Sequence, residues 1–265
     1  MSFRDVNGLM LHARAGKREE ARPLVFINSL GTDYRIWHQV VHALRGEPFR
    51  FLLHDKRGHG LSDVGEPPYS IQDHADDVAA LMEQHGMKEA IICGISVGGM
   101  IALALADARP DLVAGLVICG SAHKIGTREA WDKRIATVAR SGLAHIWPMI
   151  EQAWFTERYR TERAADVRGW RNMVVRCPAG GYIGTCMAIR DADYTQAAQN
   201  ISVPTKVLAA AEDGSTPPEL VKSLADLVPG AEYHVIEKAA HMMCIEQPQA
   251  VAEHIRAFAA AHGLI

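Results

Sequence analysis

The sequence lacks any long apolar run: no stretch of its 265 residues approaches the roughly eighteen consecutive apolar positions of a membrane helix. It also lacks a Lys/Arg run. With 28 basic and 31 acidic side chains and a formal net charge of -3, it carries no electrostatic footprint for nucleic acid. Cysteine is scarce, with five residues: Cys93, Cys119, Cys177, Cys186 and Cys244. The count is odd and the spacings match no zinc pattern, so no metal centre is expected. Cys93 and Cys119 sit in apolar runs that read as central strands, where a thiol acts as a small hydrophobe. Reduced thiols in a cytoplasmic setting are the simplest reading. The opening residues MSFRDVNGLMLHARAG lack a basic start, an apolar stretch and a small-residue cleavage site, so no signal peptide is expected. Internal repeats and low-complexity segments are absent too.

What is present is an ordinary globular composition, 48% hydrophobic and 22% charged, in a chain near the upper length for one core. Short apolar runs alternate with helical patterns up to about Gly120. Pro23 to Ser29, Phe49 to Asp55, Ala90 to Ile95 and Leu112 to Cys119 read as buried strands. Ile71 to His85 reads as a helix, with Ser70 and Asp73 spaced as a capping box. After Asn200 the same grammar returns. Thr205 to Ala211 and Glu232 to Glu237 read as strands, and Pro217 to Leu227 and Pro248 to His262 as helices. Near-continuous apolar strands alternating with helices predict a mostly parallel sheet covered on both faces, an α/β fold.

Residues 123–200 differ. They read as several helices without a strand and carry Trp131, Trp147, Trp154, Trp170, Met149, Met173 and Met187. Such positions serve helix packing, or they line a cavity under a lid. The predicted division is therefore a core of residues 1–122 and 201–265, with 123–200 as a helical lid insertion.

The segment Ile91 to Ala106 is the most informative. It is a buried strand, then G-x-S-x-G, then a helix rich in Ala and Leu. Ser96 lies between Gly94 and Gly98. A serine on a sharp strand-to-helix turn must adopt a strained backbone, and side chains at the two glycines would collide with neighbouring backbone. The turn lifts the hydroxyl above the sheet edge. A phosphate-binding loop is excluded, because no Lys-Ser/Thr follows.

A serine hydroxyl needs a base in contact to become a nucleophile. In this chain order the acid follows a late strand and the histidine follows the next, which selects Asp213 and His241 from thirteen histidines and many acids. Glu212 is the rival acid. A tetrahedral intermediate would also need two backbone amides, each contributing about 2.7–4 kcal/mol. Val97 comes with the turn. Leu30, in the loop Asn28 to Asp33, is the second, with Ser29 as its alternative and Gly31 allowing close approach. The segment HDKRGHGLSD (54–63) reads as a tight structural turn. His54 and His59 lack the companions of a metal site.

The whole chain resembles the α/β-hydrolase superfamily and, within it, is similar to the 3-oxoadipate enol-lactonases. The stretches that carry the likeness are FINSLGTDYRIW, DKRGHGLSD, YSIQDHADDVAALM, CGISVGGMIALALA, IGTREAWDKRI, AIRDADYTQA, AAEDGSTPPEL and AAHMMCIEQP. Lys56 and the run Met242, Met243 and Cys244 depart from the family's usual residues. The resemblance implies an α/β-hydrolase fold and a Ser96–His241–Asp213 triad. It implies opening of a carboxylated enol-lactone to 3-oxoadipate in aromatic-compound breakdown, without cofactor or metal. A carboxylated substrate needs a cationic partner. Arg134, on one helix face with Trp131, and Arg190 are the candidates, with Trp154 and Met242 as further lining. Alternatives are another carboxylesterase or lactonase, or a carbon–carbon bond hydrolase acting on dienoates. A ligand receptor on the same scaffold would need a broken triad. The expected partner is a small lactone or ester, with no nucleic acid and no membrane; oligomeric state is not legible.

Overall fold

The computed structural model describes residues 2–265. Eight strands form one sheet: β1 (Ser2–Val6), β2 (Leu9–Ala15), β3 (Arg22–Ile27), β4 (Phe49–His54), β5 (Ala90–Ile95), β6 (Val113–Cys119), β7 (Thr205–Ala210) and β8 (Glu232–Ile236). Their spatial order is β1-β2-β4-β3-β5-β6-β7-β8. The pairs β1–β2 and β2–β4 are antiparallel; all others are parallel. β5 and β7 are buried along their whole length, as strands covered on both faces must be.

The helices are α1 (His38–Ala43), α2 (Ile71–Gln84), α3 (Val97–Ala108), α4 (Arg128–Ser141), α5 (Leu143–Trp154), α6 (Glu157–Glu162), α7 (Ala164–Val175), α8 (Ala179–Asp191), α9 (Thr195–Asn200), α10 (Pro218–Leu227), α11 (Met243–Glu246) and α12 (Pro248–Ala261). The Ser70–Asp73 capping box at the head of α2 is formed. On β6, Gly115 meets Phe258 of α12, while Ile118 meets Gly99 of α3. Positions three apart on a strand point to opposite faces, so helices cover both.

The antiparallel start, β1 and β2, goes beyond the strands expected from the sequence. Asn7 and Gly8 join them with φ of 52° and 78°, the paired positive values of a tight hairpin turn. Asn-Gly between two strands is the local signal for that turn. Between β6 and β7 the chain is helical, α4 to α9, with no strand. Among the described residues no helix is long and apolar enough to cross a membrane, and all five cysteines are buried and unpaired.

The sheet order reverses at β3. The chain leaves β3 toward β4 on one side, whereas β5 leads to β6 on the other. The carboxyl ends of β3 and β5 therefore flank a topological switch point, where open α/β sheets place their sites.

Candidate active site

β5 ends at Ile95 and α3 begins at Val97, so the turn between them is the single residue Ser96. Its φ of 59° and ψ of -126° cost of order 1–3 kcal/mol and persist only when surroundings enforce them. They do so here. The Ser96 amide donates to Cys119 O at 2.9 Å. The Ser96 carbonyl accepts from Gly99 N at 2.8 Å and from Ser121 Oγ at 2.7 Å. A β-carbon at Gly94 would lie 2.2 Å from Gly98 O, and one at Gly98 would lie 2.3 Å from Ile27 O. The missing side chains thus press the first turn of α3 against the end of β3.

β6, β7 and β8 end beside β5 in sequence of neighbours. Gly120 follows β6, Asp213 follows β7 and His241 follows β8. His241 Nδ1 lies 2.9 Å from Asp213 Oδ2 and 3.1 Å from Oδ1. Both side chains are essentially inaccessible to solvent. Asp213 Oδ1 accepts the amides of Ser215 and Thr216, at 2.7 and 2.9 Å. The Thr216 hydroxyl sits between Gly120 O at 2.8 Å and Asp213 Oδ2 at 2.9 Å. A carboxylate so placed draws the imidazole proton to Nδ1 and leaves the Nε2 lone pair free. Glu212, the rival acid, is exposed. Ser96 is half-buried on the same edge. Its hydroxyl makes no hydrogen bond with His241 among the described residues, a contact that is often long before substrate binds.

The loop after β3 is pinned from the turn after β4. Asn28 Nδ2 donates to His54 O at 2.6 Å, and Lys56 Nζ donates to Ser29 O at 2.8 Å. The Gly31 amide donates to His59 Nε2 at 3.0 Å. The other ring nitrogen of His59 faces Arg57 O at 3.1 Å, which assigns the proton to Nδ1. Gly31 takes φ of 75°. The amides of Leu30 and Ser29 have no acceptor among the described residues; neither has that of Val97, at the first position of α3. The turn at 54–63 is thus the support of the β3 loop. No group of His, Cys, Asp or Glu suited to a metal ion occurs among the described residues. Burial holds His54 down to about 3 and His59 well below the ordinary histidine value, so both are neutral.

The helical segment supplies the remaining candidates. Trp131 is buried and donates its indole N–H to Ile125 O at 2.7 Å. Arg134 is half-buried, with its guanidinium 5.4 Å from the Trp131 ring and 5.6 Å from the Tyr182 ring. Its Nε donates to Tyr182 Oη at 2.9 Å, and no carboxylate pairs with it among the described residues. Tyr182 is fully buried and its ring packs on Gly31. Arg134 is therefore linked through one aromatic residue to the β3 loop. Arg190 is different: its donors are taken by Asp132 and Asp191 at 2.7 to 3.0 Å. Trp154 and Met242 are buried together, the Met242 amide donating to Trp154 O at 3.0 Å. Glu246 ties the same two segments, accepting from Ala240 N at 2.8 Å and Thr156 Oγ1 at 2.7 Å. A cleft of about 1360 Å³ is lined by Gly31 and Tyr34 and by Arg158 and Trp170; its lining does not include Ser96, Asp213 or His241.

The family described as serine aminopeptidase, S33, matches residues 19–248. The chain belongs to the α/β-hydrolases. It is 30% identical to 3-oxoadipate enol-lactonase 1 of Acinetobacter baylyi over 253 residues, covering 92% of this chain and 94% of that protein. It is 33% identical to 3-oxoadipate enol-lactonase 2 of the same organism over 227 residues, covering 86% and 84%. The crystal structure of the enol-lactonase from Burkholderia xenovorans matches with a TM-score of 0.94 and 32% identity, covering 98% of this chain and 100% of that one. The fold and the family make this hydrolase an enzyme of the ester and lactone class.

Thr216, Tyr182, Lys56 and His59 were not among the residues selected from sequence. Each acts through a contact between segments remote in the chain. Lys56 alone had a visible signal, as a departure from the family's usual residue two positions after the apolar strand FRFLLH.

Proposed function

We propose that this hydrolase opens a carboxylated enol-lactone, 3-oxoadipate enol-lactone to 3-oxoadipate, through an acyl-enzyme on Ser96. The observation that carries the proposal is the buried Asp213–His241 pair at the strand edge that also bears the strained Ser96 turn.

In this mechanism His241 Nε2 takes the Ser96 proton as Oγ attacks the lactone carbonyl. Asp213 holds the imidazole in the Nδ1–H form and stabilises its cation. The carbonyl oxygen becomes an oxyanion held by the amides of Leu30 and Val97. The ring C–O bond breaks and the departing enol oxygen receives the proton from His241; the enol then ketonises. Water, deprotonated by His241, attacks the acyl group and returns Ser96 to its hydroxyl form. No step calls for a cofactor.

Residues 123–200 act as the lid over the core of residues 1–122 and 201–265. From the lid, Arg134 meets the substrate carboxylate. Its guanidinium is oriented by Trp131 and Tyr182 and has no carboxylate partner among the described residues, which suits it to a charged ligand. Trp131, Trp154 and Met242 supply apolar lining. Arg190 was the second candidate in sequence, and its carboxylate partners make it the weaker one.

The test is a panel of the enol-lactone, neutral phenyl esters and dienoates. The expected result is a kcat/KM for the enol-lactone at least tenfold above the others. Preference for a neutral ester would move the protein to a general carboxylesterase. Cleavage of a dienoate carbon–carbon bond would replace the substrate class.

A further inference from the structure

Lys56 is among the largest fully buried side chains of the protein, although it is charged. Buried lysines are uncommon because removing an ammonium from water is costly unless it is paired. No carboxylate lies within ion-pair distance of its Nζ among the described residues. The acceptor it reaches is the carbonyl oxygen of Ser29, at 2.8 Å. That carbonyl shares one peptide unit with the amide of Leu30.

We infer that Lys56 is a positioning residue of the oxyanion site, its ammonium polarising the Ser29–Leu30 peptide so that the Leu30 N–H becomes a stronger donor to the substrate oxygen. The inference rests on the assignment of Leu30 to the oxyanion site. Peptide resonance couples the two ends of the unit: charge drawn toward the oxygen leaves the nitrogen more positive. Hydrogen bonds in series polarise one another most where the dielectric is low. The Ser29 carbonyl also accepts from Thr32 Oγ1 at 2.8 Å and from Thr32 N at 3.3 Å. The neighbouring Gly31 amide is held by neutral His59 at 3.0 Å, so the peptide plane cannot rotate freely. The Leu30 amide, between these anchors, has no acceptor among the described residues.

Several groups set the charge of Lys56. Burial lowers it to about 8, and the carboxylates of Asp55 and Asp33 oppose that shift. His54, His59 and His74 are held below the ordinary histidine value, in part by Lys56 itself. The Cys177 thiol is pushed up to about 12 by burial. Between pH 7 and 10, Lys56 is thus the group of this cluster that changes charge. A neutral amine still donates to Ser29 O but polarises it less.

The test compares wild type with Lys56→Met on a neutral phenyl ester. Lys56→Met is expected to lower kcat about tenfold with KM within about twofold, a fraction of the loss from deleting a whole oxyanion donor. Wild-type kcat is expected to fall as pH passes through about 8, and Lys56→Met should lose this alkaline limb. A support role without charge would leave the limb in place. A folded Lys56→Met with unchanged kcat overturns the inference, and so does a wild-type profile flat from pH 7 to 10. The wild-type profile needs no variant, so it decides even if Lys56→Met does not fold. A fluorophosphonate label on wild-type Ser96, located by mass spectrometry, separates the two levels. If Ser96 is labelled and Lys56→Met is unimpaired, only the role of Lys56 is lost; if Ser96 is not labelled, the acyl-enzyme reading fails with it.

Discussion

Asp213 holds His241 from below with its carboxylate, Oδ2 lying 2.9 Å from Nδ1, while the amides of Ser215 and Thr216 fix the other oxygen. The carboxylate is therefore locked before the histidine is considered, and the histidine inherits its orientation. Asp213→Asn keeps the shape but places an amide where the Nδ1–H must be accepted. The proposed base would then present the wrong tautomer to Ser96. The expected outcome is a loss of about 10⁴ in kcat with the fold retained. Steady-state kinetics beside a thermal melt check this; a loss below tenfold would take Asp213 out of the mechanism.

Ser96→Ala removes one oxygen from a half-buried position and leaves every backbone contact of the turn in place. The strain at φ of 59° comes from the backbone, so alanine bears it as serine does. The variant should melt near wild type while kcat falls by at least about 10³-fold, leaving only the contribution of binding and the oxyanion amides. Near-normal turnover by a folded variant would falsify the nucleophile assignment.

If Arg134 meets the substrate carboxylate as proposed, its removal separates a lactone that carries a carboxylate from an ester that does not. Arg134→Met preserves much of the contact with Trp131 and Tyr182 but removes the charge. KM for the enol-lactone should rise about tenfold or more, consistent with a lost charge-assisted hydrogen bond, while KM for a neutral phenyl ester stays within about twofold. Tyr182→Phe removes the bond that fixes Arg134 Nε and should show the same selective effect, but smaller. Equal changes on both substrates would place Arg134 in lid packing instead.

Ser96 was legible because its signal is local. Two glycines, a strand before and a helix after are contiguous in sequence, and the steric reason for each glycine can be stated without coordinates. Asp213 and His241 followed from strand order, since each falls just past a recognisable strand. The β1–β2 hairpin had an equally local signal in Asn7-Gly8, but its strands are partly exposed and lack the buried apolar run of β5 or β7. The Lys56–Ser29 bond could not be read at all. Twenty-seven residues separate the partners, and the contact exists only because β4 pairs with β3. Arg134 was visible as a cation on a helix, but not the Tyr182 hydroxyl that orients it, 48 positions away. Composition cannot tell a free arginine from one held by Asp132 and Asp191, and so Arg190 remained a second candidate beside Arg134 until the pairs were seen.

The buried charge of Lys56 also predicts how stability varies with pH. Its folded-state value is lowered to about 8 from 10.5, so below about pH 8 the folded protein must bury an ammonium that the unfolded chain leaves in water. Between about 8 and 10.5 the folded state has released this proton and the unfolded state has not. The unfolded state then binds more protons, and stability rises with pH. The destabilisation, about 3 kcal/mol at neutral pH, is fully present below the folded value and gone above the unfolded one. Lys56→Met carries no such proton. Groups common to both proteins cancel in the difference, as does the pH-independent loss of the bond to Ser29 O. Urea unfolding at pH 7 and pH 10 should therefore show wild type gaining on Lys56→Met by about 2–3 kcal/mol. A constant difference would mean that the folded and unfolded states hold the Lys56 proton alike up to pH 10, so that burial does not depress it and a fall in kcat through about pH 8 would need another source. A gain of about 4 kcal/mol would mean that Lys56 is already a neutral amine in the folded protein at pH 7, and the peptide polarisation inferred for catalysis would have no source.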